Sequence, residues 1–223
     1  MRILIIGQPS IETAYVARAM AEYSYSVKIT DDMRDAEYSV SESAYDATLI
    51  LAAGASFSAS VRKLLPTFTK QSGAGSILVI IDEVAASERA AILRVGADAC
   101  FARPWSLIEV HERLLALNRR DVLRAQRNGT GGLRLDQFKH ELIQGNSRVA
   151  VTRREFLAIE RLLKQEGGAV SHDEIISYAW PDDDVAGSVN TSQLVFRLRQ
   201  KMGAHGIKAK IETVNRFGYR LTE

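Results

Sequence analysis

The chain has 223 residues, 46% hydrophobic and 25% charged, with four prolines, one cysteine and a net charge of +2. That composition excludes collagen-like, disordered and disulfide-stapled proteins, and the length suggests two domains, each able to bury its own core. Cys100 has no partner for an internal disulfide, and no apolar run approaches the roughly 18–20 residues of a membrane helix, so a cytoplasmic protein without a membrane partner is expected.

The apolar start, residues 1–7, is too short for a signal peptide and reads as a buried first strand. Residues 11–23 carry apolar side chains at helical spacing. Further strands are predicted at 26–29, 47–51, 77–81 and 99–102. Those at 47–51 and 77–81 are continuously apolar, as parallel strands covered on both faces are. Helices are predicted at 57–71, 87–95 and 107–117. The alternation implies a doubly wound α/β sheet with right-handed crossovers, whose ligands sit at the carboxyl ends of the strands. Those ends hold Gly7-Gln8-Pro9, Ala52-Ala53-Gly54, Asp82-Glu83 and Arg103-Pro104. They contain no dinucleotide fingerprint, no Walker lysine, no zinc-spaced ligands and no nucleophile beside a base. No catalytic residue, metal or cofactor is therefore expected, and an α/β enzyme has little support.

With Gly96-Ala97-Asp98 before the fifth strand and Arg103-Pro104-Trp105 after it, residues 1–120 resemble a response-regulator receiver domain, with its flavodoxin-like fold. The resemblance implies an acid pair for magnesium after the first strand and a phosphoryl-accepting aspartate ending the third. It also implies a hydroxyl after the fourth strand and a lysine after the fifth. The matching positions here are Gly7 and Gln8, Leu51 (or Ala52, one residue on), Ile81 and Arg103, while the aromatic position of the fifth strand falls on Cys100. Phosphoryl transfer needs a carboxylate nucleophile and a cation held by oxygen ligands, and Leu51 and Gly7 supply no side-chain oxygen. Asp46 lies at the opposite end of the sheet, and Asp82-Glu83 reads as a solvated turn. This half is therefore expected to be a pseudo-receiver, with the fold kept and the chemistry lost. The resemblance further implies pairing of two copies through the fourth helix, fifth strand and fifth helix. Arg89 and Glu109 keep positions able to pair, Arg94 stands where an acid is usual and faces Arg113, and Ala99 replaces another acid. A homodimer through this face is expected to rest on apolar contacts, since exposed ion pairs are worth only ~0–1 kcal/mol each.

Residues 121–132 end in Asn128-Gly129-Thr130-Gly131-Gly132 and are expected to form a flexible linker, with a second domain at 133–223. That domain opens with alternating segments at 133–135, 138–143 and 148–151, a small antiparallel sheet with a turn at 144–147. Thr152-Arg153-Arg154-Glu155 is a capping box, opening a helix with Phe156, Ile159, Leu162 and Leu163 on one face. Ser171-His172-Asp173-Glu174 is a second capping box, opening a helix at 175–180 that Pro181 stops, with His172 solvated in its first turn. Asp182-Asp183-Asp184 reads as an exposed loop, lacking the rest of a calcium site. A third helix is predicted at 188–202, and strands at 210–215 and 219–221 flank a hairpin turn.

Sheet, three helices and hairpin follow one another as in a winged helix. Arg154-Glu155-Phe156, the helix ending in Trp180, Arg197-Leu198-Arg199-Gln200-Lys201-Met202 and the run Glu212 through Leu221 resemble the OmpR/PhoB-type effector domain. The family's Thr-Val-Arg-Gly-x-Gly-Tyr ending is altered, with Asn215 for the arginine and Arg216 for the first glycine. The resemblance implies a bacterial two-component transcription regulator that binds double-stranded DNA sequence-specifically, with RNA polymerase as a further partner. Here it would act without aspartyl phosphorylation. The alternative is an adaptor whose winged helix binds a protein.

Charge supports the DNA reading. Residues 1–120 carry 13 basic and 14 acidic side chains, residues 121–223 carry 16 and 13, and 185–211 hold five basic residues and no acid. A solvated basic face is the common cause of such a run, and a phosphate-binding stripe is the sharper one. Along the third helix Thr191, Val195, Leu198 and Met202 share the inward face, flanked by Leu194. Asn190, Gln193, Phe196, Arg197 and Gln200 lie opposite. They are base-reading candidates: arginine suits guanine and Gln or Asn suits adenine, while Phe196 touches a thymine methyl or packs on the domain. Arg199, Lys201, Lys208, Lys210, Asn215 and Arg216 are the phosphate and wing candidates.

Overall fold

The computed structural model describes residues 1–128, 132–136, 139–165, 167–180 and 188–222, apart from the side chains of 55–59, 72, 119–128 and 188–190. The chain divides into two compact units, Met1–Arg119 and Arg120–Glu223. No helix among the described residues is long and apolar enough to cross a membrane.

In the first unit β1 (Arg2–Gly7), β2 (Ser26–Thr30), β3 (Ala47–Ala52), β4 (Ser76–Ile81) and β5 (Ala99–Ala102) form a parallel sheet in the order β2-β1-β3-β4-β5. The unbroken apolar runs follow from the two-residue period of a strand with helices on both sides. Leu4, Ile6, Ile50, Val79 and Ile81 meet α2 (Met33–Glu42), α3 (Ala55–Lys70) and α4 (Ala86–Arg94) in one core. Ile3, Ile5, Leu49, Leu51, Leu78 and Ile80 meet α1 (Ile11–Glu22) and α5 (Leu107–Asn128) in the other. The order of strands reverses between β1 and β3, where Gly7 pairs with Leu51, so the crevice lies at their carboxyl ends. At the amino ends Asp46 accepts from the Arg2 N–H at 2.5 Å and Asp98 from the Ile77 N–H at 2.8 Å, capping two strand starts.

Two elements of this unit depart from the sequence reading. The helix α2 was not predicted; only Ala36, Ser39 and Val40 are buried on it, so its apolar periodicity is faint, and Asp32 starts it by accepting from the Arg34 and Asp35 N–H groups. Helix α5 runs to Asn128, beyond the predicted end at residue 117 and through most of the segment read as a linker. The linker glycines from 129 to 131 lie outside the described residues.

The second unit opens with the antiparallel meander β6 (Leu133–Asp136), β7 (Glu141–Gln144) and β8 (Ser147–Ala150). Then follow α6 (Arg153–Lys164), β9 (Ala169–Ser171), α7 (His172–Ala179), α8 (Ser188–Ala204), β10 (Lys210–Val214) and β11 (Gly218–Thr222). The last sheet has the order β10-β11-β9, and the three-residue β9 was too short to read from sequence. Phe156, Ile159 and Leu162 of α6, Ile175 and Tyr178 of α7 and Leu194, Leu198 and Met202 of α8 share one core with Ile211, Tyr219 and Leu221. Gly218 is required where β11 meets β9: a Cβ there would lie 1.9 Å from the Val170 carbonyl oxygen. The architecture is a winged helix. Pro181, the Asp182-Asp183-Asp184 run and Phe138 lie outside the described residues.

Candidate nucleic-acid interface

The carboxyl edge of the parallel sheet is where a receiver carries its chemistry. Leu51 and Ala52, the two positions the resemblance offers for a phosphoryl acceptor, are 3% and 0% exposed and belong to the two cores, and Ile81 is buried as well. Gly7 is pressed between neighbours, since a Cβ there would stand 3.2 Å from both Leu51 Cβ and Thr13 Oγ1. Gln8 is exposed, and its carbonyl accepts from Thr13 Oγ1 at 2.8 Å. Arg103 is enclosed by acids: its Nε donates to Glu12 Oε1 at 3.0 Å, Nη2 to Glu12 Oε2 at 2.5 Å and Nη1 to Asp82 Oδ1 at 2.9 Å. Trp105 Nε1 donates to the same Glu12 Oε1 at 2.7 Å, and Asp82 Oδ2 accepts from the Gly54 N–H at 2.6 Å. Burial pushes the Glu12 carboxyl up, but the Arg103 and Trp105 hydrogen bonds and the guanidinium charge outweigh it and hold the group below its usual range. Asp82 pairs with Arg103 although its side chain is still 46% exposed, so the solvated turn expected there also carries an ion pair. Glu12 was not singled out from sequence, because an acid in a helix's first turn looks like an ordinary dipole partner.

Of the residues expected at a dimer face, Arg94, Glu109 and Arg113 are exposed and Arg89 is half-buried. Arg89 donates to the Val84 carbonyl at 2.9 Å and Arg113 to the Asp98 carbonyl at 3.1 Å.

The winged helix presents a second constellation on α8. Thr191, Leu194, Val195, Leu198 and Met202 are buried, so the helix has one committed face. Gln193, Arg197 and Gln200 are exposed, and Phe196 is 62% exposed rather than packed on the domain. None of these four side chains makes a hydrogen bond or ion pair among the described residues. The Asn190 side chain lies outside the described residues. At one end of the strip an opening of about 120 Å³ is lined by Thr152, Arg154, Glu155, Trp180, Leu194 and Arg197.

The basic residues nominated for phosphates separate into two groups. Lys201 Nζ donates to Glu155 Oε2 at 2.7 Å, and Glu155 is itself buried in the capping box with Thr152. Burial raises the Glu155 carboxyl, but the Lys201 hydrogen bond, the Thr152 backbone hydrogen bond and the ammonium charge lower it further than burial lifts it. Arg199 Nε donates to the Ile211 carbonyl and Nη2 to Thr213 Oγ1, both at 2.8 Å. Both side chains therefore have internal partners. Lys208 and Lys210 are exposed, but Lys210 pairs with Thr222 at the root of the hairpin, four pairings from its tip. Asn215 and Arg216 are exposed at the tip itself. Arg216 has φ 56°, the left-handed region that its family position fills with glycine. The second capping box is half formed: Ser171 Oγ accepts from the Glu174 N–H at 3.1 Å, while the Glu174 carboxylate accepts from Arg161. His172 is half-buried rather than solvated, its ring edge-on to Tyr219 at 5.0 Å between centroids.

The chain is similar in sequence to known proteins. Residues 145–221 match the family described as "Transcriptional regulatory protein, C terminal". Over 225 residues the chain is 28% identical to the transcriptional regulatory protein TcrA of Mycobacterium tuberculosis, covering 99% of this chain and 87% of that protein. It is 27% identical over 227 residues to the transcriptional regulatory protein PmrA of Pectobacterium parmentieri, covering 100% and 98%. To the two-component response regulator PhoP of Pseudomonas aeruginosa it is 26% identical over 224 residues, covering 100% and 99%. These relatives are transcription regulators rather than enzymes. The chain is thus similar along its length to transcriptional response regulators, with a receiver-like fold ahead of a winged helix whose residues 145–221 match the transcriptional regulatory protein C-terminal family.

Proposed function

We propose that the protein is a sequence-specific DNA-binding transcription regulator of the cytoplasm that works without aspartyl phosphorylation. The observation that carries the DNA reading is the strip Gln193, Phe196, Arg197 and Gln200: exposed, unpartnered among the described residues and backed by a fully buried face. Arg197 offers a planar five-donor fork suited to guanine, the two glutamines suit adenine, and Phe196 offers an apolar surface to a thymine methyl. Arg216 at the wing tip is the favoured backbone contact. Arg199 and Lys201 have internal partners, Lys210 stands at the hairpin root and Lys208 precedes it, so none is favoured over Arg216. Phosphorylation independence is supported by a buried Leu51 at the acceptor position and by an Arg103 already paired with Glu12 and Asp82. A homodimer through Arg89, Arg94, Glu109 and Arg113 stays part of the reading, as does contact with RNA polymerase.

Selection from a random duplex pool tests the first claim. A recovered consensus supports it, and retention of no duplex above scrambled controls leaves the adaptor reading ahead. Incubation with a small-molecule phosphodonor and magnesium tests the second. A stoichiometric mass gain, labile as an acyl phosphate, overturns it.

A further inference from the structure

A recognition helix and a wing grip one duplex together only if the angle between them is fixed. Arg199 spans the two. Its Nε reaches the Ile211 carbonyl and its Nη2 reaches Thr213 Oγ1, each at 2.8 Å, so one planar side chain holds β10 at two points. The guanidinium also lies 5.8 Å from the Tyr219 ring centroid on β11. The Tyr219 hydroxyl in turn stands 3.3 Å from Ser192 Oγ, two turns earlier on α8. The hairpin is therefore anchored to α8 at two places roughly 10 Å apart along the helix axis. One anchor would leave a pivot, whereas two fix the angle. Lys201, by contrast, ties α8 to the start of α6 and leaves the wing alone.

We propose that Arg199 is a positioning residue, which sets the angle between α8 and the wing and so the spacing between Arg197 and Arg216, rather than a phosphate ligand. This rests on the DNA reading of the domain. It explains the need for arginine: a guanidinium satisfies two acceptors along different donor directions, while a lysine ammonium, with the same charge, is a point that cannot span them.

Arg199→Lys and Arg199→Ala in the full chain separate the two roles. In the free protein, hydrogen exchange at β10 and β11 amides should quicken about tenfold in both variants, with β6–β8 unchanged. On the selected duplex both should lose about tenfold in affinity, with the salt slope kept, since no counterion is released at Arg199. A phosphate contact predicts otherwise: Lys near wild type, and Ala with a slope lower by ~0.9. Unchanged wing exchange in both variants overturns the tie, and a lysine variant that binds like wild type overturns the positioning role. Absence of any duplex preference in the wild type defeats the DNA reading, and the exchange measurement still decides whether Arg199 holds the wing.

Discussion

The carboxyl edge of the parallel sheet and the outward strip of α8 both gather polar side chains, and they use them in opposite ways. At the sheet edge Arg103 makes four hydrogen bonds, to Glu12, Asp82 and the Ala52 carbonyl, and Glu12 also satisfies Trp105. On α8 Gln193, Arg197 and Gln200 stand open. A closed network stabilises one arrangement and offers nothing to a ligand, because any new partner must displace an old one. Open donors are satisfied by water until something better arrives. Charge counting does not separate these cases; the presence of an internal partner does.

The harshest way to break the contrast is to restore the missing acid. Leu51→Asp puts a carboxylate into a core position, losing apolar contact and burying a charge, and should cost at least ~3 kcal/mol in urea unfolding. On the proposed reading no phosphoryl uptake should accompany it, because Gly7 and Gln8 supply no carboxylate and Glu12 and Asp82 are paired with Arg103. Mass spectrometry of the folded fraction checks that part. Arg103→Ala comes next. It leaves Glu12 and Asp82 facing each other with no cation, in a partly exposed site, and should cost ~1–3 kcal/mol of stability. If urea midpoints did not move, the network would be ornamental and the closed side of the comparison would fail.

Arg197→Ala should show the reverse pattern. Stability should stay within about 0.5 kcal/mol, while specific binding drops by ~1–3 kcal/mol and one base pair loses its preference. Titrations on specific and scrambled duplexes read both. Arg216→Gly splits the two properties within one residue. Relief of left-handed backbone should stabilise the fold by up to ~1 kcal/mol, although the loss of a wing cation weakens all duplexes alike and lowers the salt slope by ~0.9. Thermal melts paired with binding at two salt concentrations test it.

The smallest effect is set by pH. His111 is buried, stacked on Tyr23 at 3.8 Å, with Nε2 2.8 Å from the Tyr25 hydroxyl. Burial lowers its pKa, opposed by the nearby Glu112 charge. The unfolded chain therefore takes up a proton that the folded ring resists. The stabilising contribution is present above the unfolded value of about 6.5 and is lost as pH falls below it, at no more than ~1.4 kcal/mol per pH unit. His111→Gln should flatten that part of the stability profile, and equal slopes in both proteins would remove His111 from the account.

Where apolar pattern or a local capping motif decides the outcome, sequence was enough: the strand Ala99–Ala102, the inward face of α8 and the first capping box all lie where they were expected. It failed where an element is held by something other than periodicity. Helix α2 is started by Asp32 and buries little, and β9 exists because β11 lies beside it. The polar sites were half legible. That Gly7, Gln8 and Leu51 carry no carboxylate can be read one residue at a time. The Glu12–Arg103 pair cannot, since its members are far apart in the chain and neither is unusual alone. Arg199 and Lys201 were taken for phosphate ligands because a run of basic residues does not reveal the Ile211 carbonyl or the Glu155 carboxylate waiting for them.

Gly218 carries a consequence for the order of assembly. The hairpin β10–β11 is local and can pair its own strands early, but it joins the rest of its sheet only through Gly218, Tyr219 and Arg220 opposite Ser171, Val170 and Ala169. Those partners are roughly fifty residues away in the chain, so closing that loop is entropically slow to be rewarded. The bare backbone at Gly218 lets the late seam shut without any side chain having to be moved aside. A side chain introduced at Gly218 should therefore part β11 from β9 and loosen the seam by which the wing hairpin joins the helices.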